Sequence, residues 1–468
     1  MSDSTSADRD PDVPNESDNR GPAVTGPHDG GPQDGSATDS GNAVPADDPE
    51  PQEADAETQP EPRRPLVGRF VTYLGTANSV MVTVYSFILA MIIGGILIII
   101  SDEDTRGTFA YFFSRPTDAL EASWTAVSEA YAGLFRGSII DFDTLSEWLN
   151  GSTTLSAVLD PISETLTYAA PLILAGLAVG LAFRAGLFNI GAEGQVIMGA
   201  VGAGVVGFSL NLPAVIHLPL VLLAGAAAGA IFGAIPGVLK ARTGAHEVIT
   251  SIMLNYVALN FLGWLVHLSW VENNETPKVP DQSRKLAESA RIPQILGSDL
   301  RVNLSILLAI AAGVVVWWLL SKSTLGYRMR AVGLNPDASR TAGMSVPRTF
   351  MASMAAAGAL AGLGGAVAVG GMGLPYALSN NVSAGIGFDG ITVALLGRAK
   401  PGGVIAAGLL FGALRAGTSL MQPDVPIDMV LVLQAIIVIF IAAPALVKAM
   451  LRLRMPTGGL ATTTAKGW

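Results

Sequence analysis

Apolar runs long enough to cross a bilayer, which takes about 20 helical residues, recur at 78–100, 162–183, 195–211, 215–238, 247–269, 304–321, 349–370, 385–397, 403–420 and 429–447. The pattern predicts an all-α polytopic membrane protein of about ten spans. The run 385–397 is too short to cross alone, so it is expected to be broken, re-entrant, or extended by polar residues that face protein rather than lipid.

Short cytoplasmic loops collect Lys and Arg. With the N-terminus inside, preceded by Arg63, Arg64 and Arg69, ten crossings bring four basic groups to the inner side. These are Lys240 with Arg242; Lys322, Arg328, Arg330, Arg340 and Arg348; Arg398 with Lys400; and Lys448, Arg452 and Arg454. Segments 101–158, with nine acids and three bases, and 271–303, with five of each, fall on the extracytoplasmic side. Both termini are then cytoplasmic. Arg415 breaks the pattern, near the outer end of its helix, where it either snorkels or faces a polar interior.

Composition agrees. Of 468 residues half are hydrophobic and 14% charged, against roughly a quarter charged in soluble proteins, and the mean hydropathy is +0.47. The net charge of −10 is local: residues 1–60 hold fifteen acids against Arg9 and Arg20, which leaves +3 on the remainder. Residues 1–65 are rich in Asp, Pro, Gly and Ser and offer too little apolar surface to offset ordering entropy. They are read as a disordered acidic tail that stays cytoplasmic, because it lacks the basic and apolar regions of a signal peptide. A transmembrane domain then covers 66–455, and 456–468 form a short cytoplasmic C-terminal tail. Cysteine is absent and the four histidines are scattered, which removes thiolate chemistry and any expectation of a metal site. No cofactor in the chain and no nucleic-acid partner are expected; the surrounding partner is membrane lipid.

The spans are rich in small residues. Gly225, Gly229 and Gly233, and Gly358 with Gly362, repeat at four-residue spacing, the pattern that lets helix backbones approach closely in lipid. They are read as packing positions.

Two polar islands interrupt this background. FNIGAEGQ at 188–195 places Asn189, Glu193 and Gln195 between two apolar runs, with Gly191 and Gly194 to break the helix. Such groups are costly at membrane depth unless they face a cavity, pair with one another, or satisfy freed backbone. Broken helices with polar groups are how transporters build sites and hinges near the membrane midplane. The alternative is that the segment lies near the inner face and Glu193 is a helix-start acid favoured by the dipole. The second island, GIGFDGIT at 385–392, opens the eighth span as the first opens the third. The two thus take equivalent places in two halves of five spans, and five being odd, the halves insert in opposite orientations. Phe388 is suited to stack on a planar ligand and Asp389 to accept its hydrogen bonds, or else Phe388 packs and Asp389 caps its helix. Asn255, inside the span SIMLNYVALNFL, needs a partner there; it lines the pathway or bonds a neighbouring helix.

The loop 322–348 contains a helix signal of its own. Asn335 is a good N-cap, Pro336 suits the first position, Asp337 complements the N-terminal dipole, and Gly343 suits the left-handed C-terminal position. A two-turn helix is marginal in water without a partner surface, and Arg328, Arg330 and Arg340 offer charge-assisted contacts to an acidic groove.

FRAGLFNIGAEGQ at 183–195, LKARTGAHEVITSIMLNYVA at 239–258, TLGYRMRAVGLNPDASRTAGM at 324–344 and GFDGITVALLGRAKPGG at 387–403 together resemble the permease subunits of ABC importers for nucleosides, within the larger group that serves simple sugars and branched-chain amino acids. The resemblance implies a second, similar permease as partner in a heterodimer, of which this chain resembles the longer, a cytoplasmic ATP-binding cassette ATPase that binds ATP and Mg, and an extracytoplasmic solute-binding lipoprotein. It also implies that 322–348, with Arg328, Arg330, Gly333, Asn335 and Arg340, is the coupling loop that docks the ATPase. Asn189, Glu193, Gln195, Asn255, Phe388 and Asp389 are the candidates for pathway and gate. No Lys follows a Gly, so the phosphate-cradling motif GxxxxGK[ST] is excluded and the motor is expected on another polypeptide. Simple sugars are the alternative cargo. An ion-coupled transporter using Glu193 and Asp389 is a further alternative, one that leaves the capped basic loop unexplained.

Overall fold

A computed structural model of the chain describes residues 79–273, 279–372 and 375–421, with isolated positions between 432 and 450. Among the described residues there are fourteen α-helices and no strand. In order they are α1 (Ser79–Ser101), α2 (Glu103–Thr108), α3 (Pro116–Ser138), α4 (Phe142–Leu149), α5 (Leu155–Arg184), α6 (Ala192–Ser209), α7 (Ala214–Thr243), α8 (Glu247–Val266), α9 (Ser305–Lys322), α10 (Thr324–Leu334), α11 (Pro336–Thr341), α12 (Val346–Gly371), α13 (Ile386–Leu396) and α14 (Pro401–Met421). Nine expected spans therefore fall on helices. Six of them, α5 to α9 and α12, are long and apolar enough to cross a membrane by themselves; the expected count of ten is not established. The tenth run, 429–447, and both tails lie outside the described residues, apart from isolated positions.

Helix α5 is the axis of the bundle. Its residues from Ala169 to Ala182 are buried without interruption, and a helix that is apolar all round belongs inside a fold. α9, α12, α13 and α14 pack around it. The glycine repeats act as read: a Cβ on Gly233 would stand 2.7 Å from the Met354 carbonyl, one on Gly225 3.0 Å from that of Gly199, and one on Gly229 2.6 Å from the Cα of Gly362. Glycine thus allows α6, α7 and α12 to meet backbone to backbone.

Segment 101–158 holds three helices that hydropathy did not mark. α3 carries Asp118, Glu121, Glu129 and Arg136, which dilute its apolar signal, yet it packs along α1 and α14. Tyr131 donates to the Met91 carbonyl at 2.7 Å. At the opposite side of the sequence midpoint, the 291–304 segment is clamped to α5 and α12: Arg301 pairs with Glu164 at 2.6 Å, Ser163 accepts the Val302 N–H at 2.8 Å, and Asn303 donates to the Gly371 carbonyl at 2.5 Å.

Candidate functional site

Helix α5 stops at Arg184 in a left-handed cap: Gly186 has φ +72, Gly186 donates to the Phe183 carbonyl and Leu187 to that of Ala182. This is the Schellman arrangement, which needs a residue without a Cβ at Gly186. Residues 185–191 then run without helix to the start of α6. The first N–H groups of a helix lack intrahelical partners, and Gly191 at the N-cap has no side chain to help. Asn255 of α8 does so from a distance of 61 residues: its Oδ1 accepts the Gly194 N–H at 2.9 Å, and its Nδ2 donates to the Ile190 carbonyl at 3.0 Å. Asn189 and Gln195 exchange two amide hydrogen bonds, each of 2.9 Å, and both are buried.

Glu193, 7% exposed, reaches the other island. Its Oε2 accepts the Gly387 N–H, in the first turn of α13, at 2.8 Å. A carboxylate at a helix N-terminus satisfies an orphan donor and opposes the positive end of the dipole. A Cβ on Gly387 would overlap the α6 backbone at Ala192 and Glu193. The two islands, 194 residues apart, are therefore in direct contact.

The contact also sets their depth. Arg184 donates to the Ala399 carbonyl at 2.9 Å, so the C-terminal ends of α5 and α13 lie at one level, among the basic residues. From that level α13 rises along its eleven residues to Gly387, about 15 Å at 1.5 Å per residue, or about half the hydrocarbon thickness of a bilayer. Both helices thus begin together, away from that level. Glu193 does occupy the first turn of its helix.

Asp389 is not an open acceptor. It pairs with Arg415 of α14 at 2.7 Å, and Arg415 also donates to the Ala384 carbonyl at 2.8 Å. The one basic residue that departed from the loop pattern therefore faces a polar interior. Asp389 does not cap α13 either; the N-cap is Gly385, at φ +74. Phe388, beside these pairs, is 49% exposed.

The coupling candidates form a separate group. Asn335 accepts the N–H groups of Asp337 and Ala338, each at 3.0 Å, Pro336 holds the first position of α11, and Gly343 at φ +79 ends it with Met344 donating to the Ser339 carbonyl at 2.9 Å. Arg340 pairs with Asp337 at 3.2 Å across an exposed turn. Arg328 and Arg330 lie exposed on α10, a helix absent from the sequence reading and capped by Ser323, which accepts the Gly326 N–H at 2.9 Å. Gly333 points inward: a Cβ there would stand 2.5 Å from the Arg184 carbonyl. Sequence reasoning also missed Glu247 and Ser251. The signal was present, because Glu247, Ser251 and Asn255 follow at four-residue spacing and so share one face of a helix.

Residues 162–442 match the family described as branched-chain amino acid transport system, permease component. The guanosine ABC transporter permease protein NupP of Bacillus subtilis is 43% identical over 60% of this chain and 81% of its own length. A glucose ABC transporter permease protein of Haloferax volcanii is 37% identical over 60% of this chain and 75% of its own. A second guanosine ABC transporter permease protein of Bacillus subtilis, NupQ, is 31% identical over 54% of this chain and 79% of its own. No solved structure matches.

Proposed function

This chain belongs to the permease-component family of the branched-chain amino acid transport systems, and from that premise we propose that it forms one half of the membrane pathway of an ATP-driven importer whose cargo is a nucleoside. It is a multi-pass membrane protein and a permease subunit of an ABC transporter. The observation that carries the cargo is the 43% identity across most of a guanosine permease. The exposed ring of Phe388, at the junction where α6 and α13 begin, supports it, since a purine stacks on such a face. The sugar reading rests on the 37% identity to the glucose permease and gives that ring no base to meet.

The partner is a second permease of the same family: Bacillus subtilis has two guanosine permease proteins, and this chain is similar to both. The capped helix α11 and the exposed Arg328 and Arg330 are the docking surface for a separate ATPase that binds ATP and Mg. Segments 322–348 and both termini lie on that cytoplasmic side of a bacterial plasma membrane; 101–158 and 271–303 lie outside, where a solute-binding lipoprotein delivers cargo. Within this assembly Asn189, Gln195 and Asn255 hold the break before α6, Glu193 joins it to α13, and Phe388 contacts cargo.

The test is uptake of radiolabelled guanosine and glucose in cells lacking the chain, with unlabelled competitors and with ATP depleted in parallel. Loss of guanosine uptake that follows ATP supports the proposal. Loss of glucose uptake alone moves the cargo to sugars, and dependence on the ion gradient overturns the coupling assignment. In the same assay Phe388→Ala is expected to raise the apparent guanosine KM by about threefold to tenfold, the equivalent of one aromatic contact, with glucose as the insensitive control.

A further inference from the structure

Helix α8 presents two unlike faces. The inward face carries Asn255 to the break before α6. The next residue, Tyr256, points about 100° further round the helix and is 62% exposed. With Met253, Val257, Asn260, Phe261 and Trp264 it lines an open groove of about 590 Å³, within the size range of small-molecule sites. The helix has twenty residues, so Tyr256 stands about 14 Å from either end at 1.5 Å per residue, which is the middle of the hydrocarbon for a span of this length. Asn260, one turn on, donates to the Tyr256 carbonyl at 2.8 Å. Its Oδ1 and the Tyr256 hydroxyl have no partner among the described residues. Beside them the Phe261 and Trp264 rings lie 5.6 Å apart, centre to centre.

The other outward faces are what lipid asks for. The exposed positions of α1 (Ile88, Ile92, Ile96) and α7 (Leu220, Leu223, Ile231) are aliphatic. The exposed Trp317 and Trp318 of α9 lie within five residues of its end at Lys322, where amphipathic rings sit at the membrane surface. A phenol and an amide in mid-span have no such reason, because hydrocarbon offers them no hydrogen bond. Nor is the face built for helix packing. Helices α6, α7 and α12 meet through glycine, as membrane helices do through small residues, whereas no exposed residue of α8 is Gly, Ala or Ser. We propose that this face of α8 is a wall of the cargo pathway: Tyr256, Phe261 and Trp264 offer rings to a nucleoside base, and the Asn260 Oδ1 and Tyr256 hydroxyl take its amino and hydroxyl groups. The proposal rests on the nucleoside importer argued above and adds a binding site to it. All the lining residues belong to α8, so the groove is one wall, and the other half of the pathway closes it.

The test uses the complete transporter in proteoliposomes. Because the chain has no cysteine, Tyr256→Cys and Asn260→Cys each give it a single thiol, and Leu223→Cys on α7 gives a lipid-facing control. A charged maleimide needs a thiolate in water. It is expected to label positions 256 and 260 but not 223, and guanosine is expected to slow the labelling where glucose does not. In uptake, Tyr256→Ala is expected to lose about tenfold, the equivalent of one stacked base, and Tyr256→Phe, which keeps the ring, to lose less. Thiols at both positions as unreactive as that at 223 put lipid on the face and overturn the proposal. Thiols that react only when the second permease is absent put that partner there and overturn it too. Protection by glucose and not by guanosine overturns the nucleoside assignment of the groove. Should one substituted chain fail to assemble, the other position decides. Failure of the importer reading is seen separately, as a wild-type complex that takes up no guanosine.

Discussion

The two polar regions of this chain satisfy their hydrogen bonds by opposite means. Where α6 and α13 begin, Asn189 and Gln195 pair with each other, and Glu193, Asn255 and Asp389 are matched by groups far away in sequence: Glu193 by Gly387, Asn255 by Gly194 and Ile190, Asp389 by Arg415. At the basic end, α10 and α11 are capped by residues one to three positions away, and the arginines remain exposed. The difference is set by solvent. In lipid an unsatisfied backbone group is worth several kcal/mol, so the polar residues of the islands are consumed in holding two broken helices against each other. In water no such demand exists, and charge is left over for a partner.

That contrast breaks first at Gly387. Its neighbour is the backbone of α6 rather than a flexible side chain, so Gly387→Val is expected to cost about 3 kcal/mol or more, the upper end for overpacking. Loss of monodisperse protein on size exclusion after detergent extraction would show it; a normal profile would mean the two helix starts are not in contact. Asn255→Ala comes next. It leaves one buried N–H and one carbonyl without partners, at about 1–3 kcal/mol each, and is expected to lower the melting temperature by several degrees while the protein still assembles.

The basic region was legible in the sequence almost residue by residue, because Asn335, Pro336, Asp337 and Gly343 act on their own neighbours. Helix α10 was not, since its apolar positions Leu325, Met329 and Val332 are interleaved with arginines and glycines and its cap, Ser323, is a common residue. The islands were legible as polar interruptions at matched positions, but not as partners: Glu193 to Gly387 is a contact that local rules do not reach. The same limit hid Glu247, whose neighbours in sequence are His246 and Val248 and whose ion-pair partner is Lys240 of α7. Helix α3 was missed for a different reason, its acids outweighing an apolar face that α1 and α14 cover.

A smaller effect sharpens the comparison from the other side. Asn335→Ala removes the cap of α11, about 1 kcal/mol, but this helix stands on its own hydrogen bonds. The loss is expected as faster amide exchange across 336–341 with an unchanged melting temperature. A global shift would show that α11 supports the bundle and does not merely project from it.

Arg330→Glu should change stability least of all. The side chain is exposed and surface substitutions of this kind fall within about 0.5 kcal/mol, so melting and assembly of the permease pair should match wild type. If the cationic face of α10 meets an acidic groove on the ATPase, the reversed charge meets like charge there, a mismatch worth several kcal/mol at an interface. Co-purification of the ATPase is then expected to fall, and uptake with it, while the permease itself is intact. Retained ATPase binding in a stable variant would remove Arg330 from the docking surface and leave Arg328 and the helix α11 to carry it.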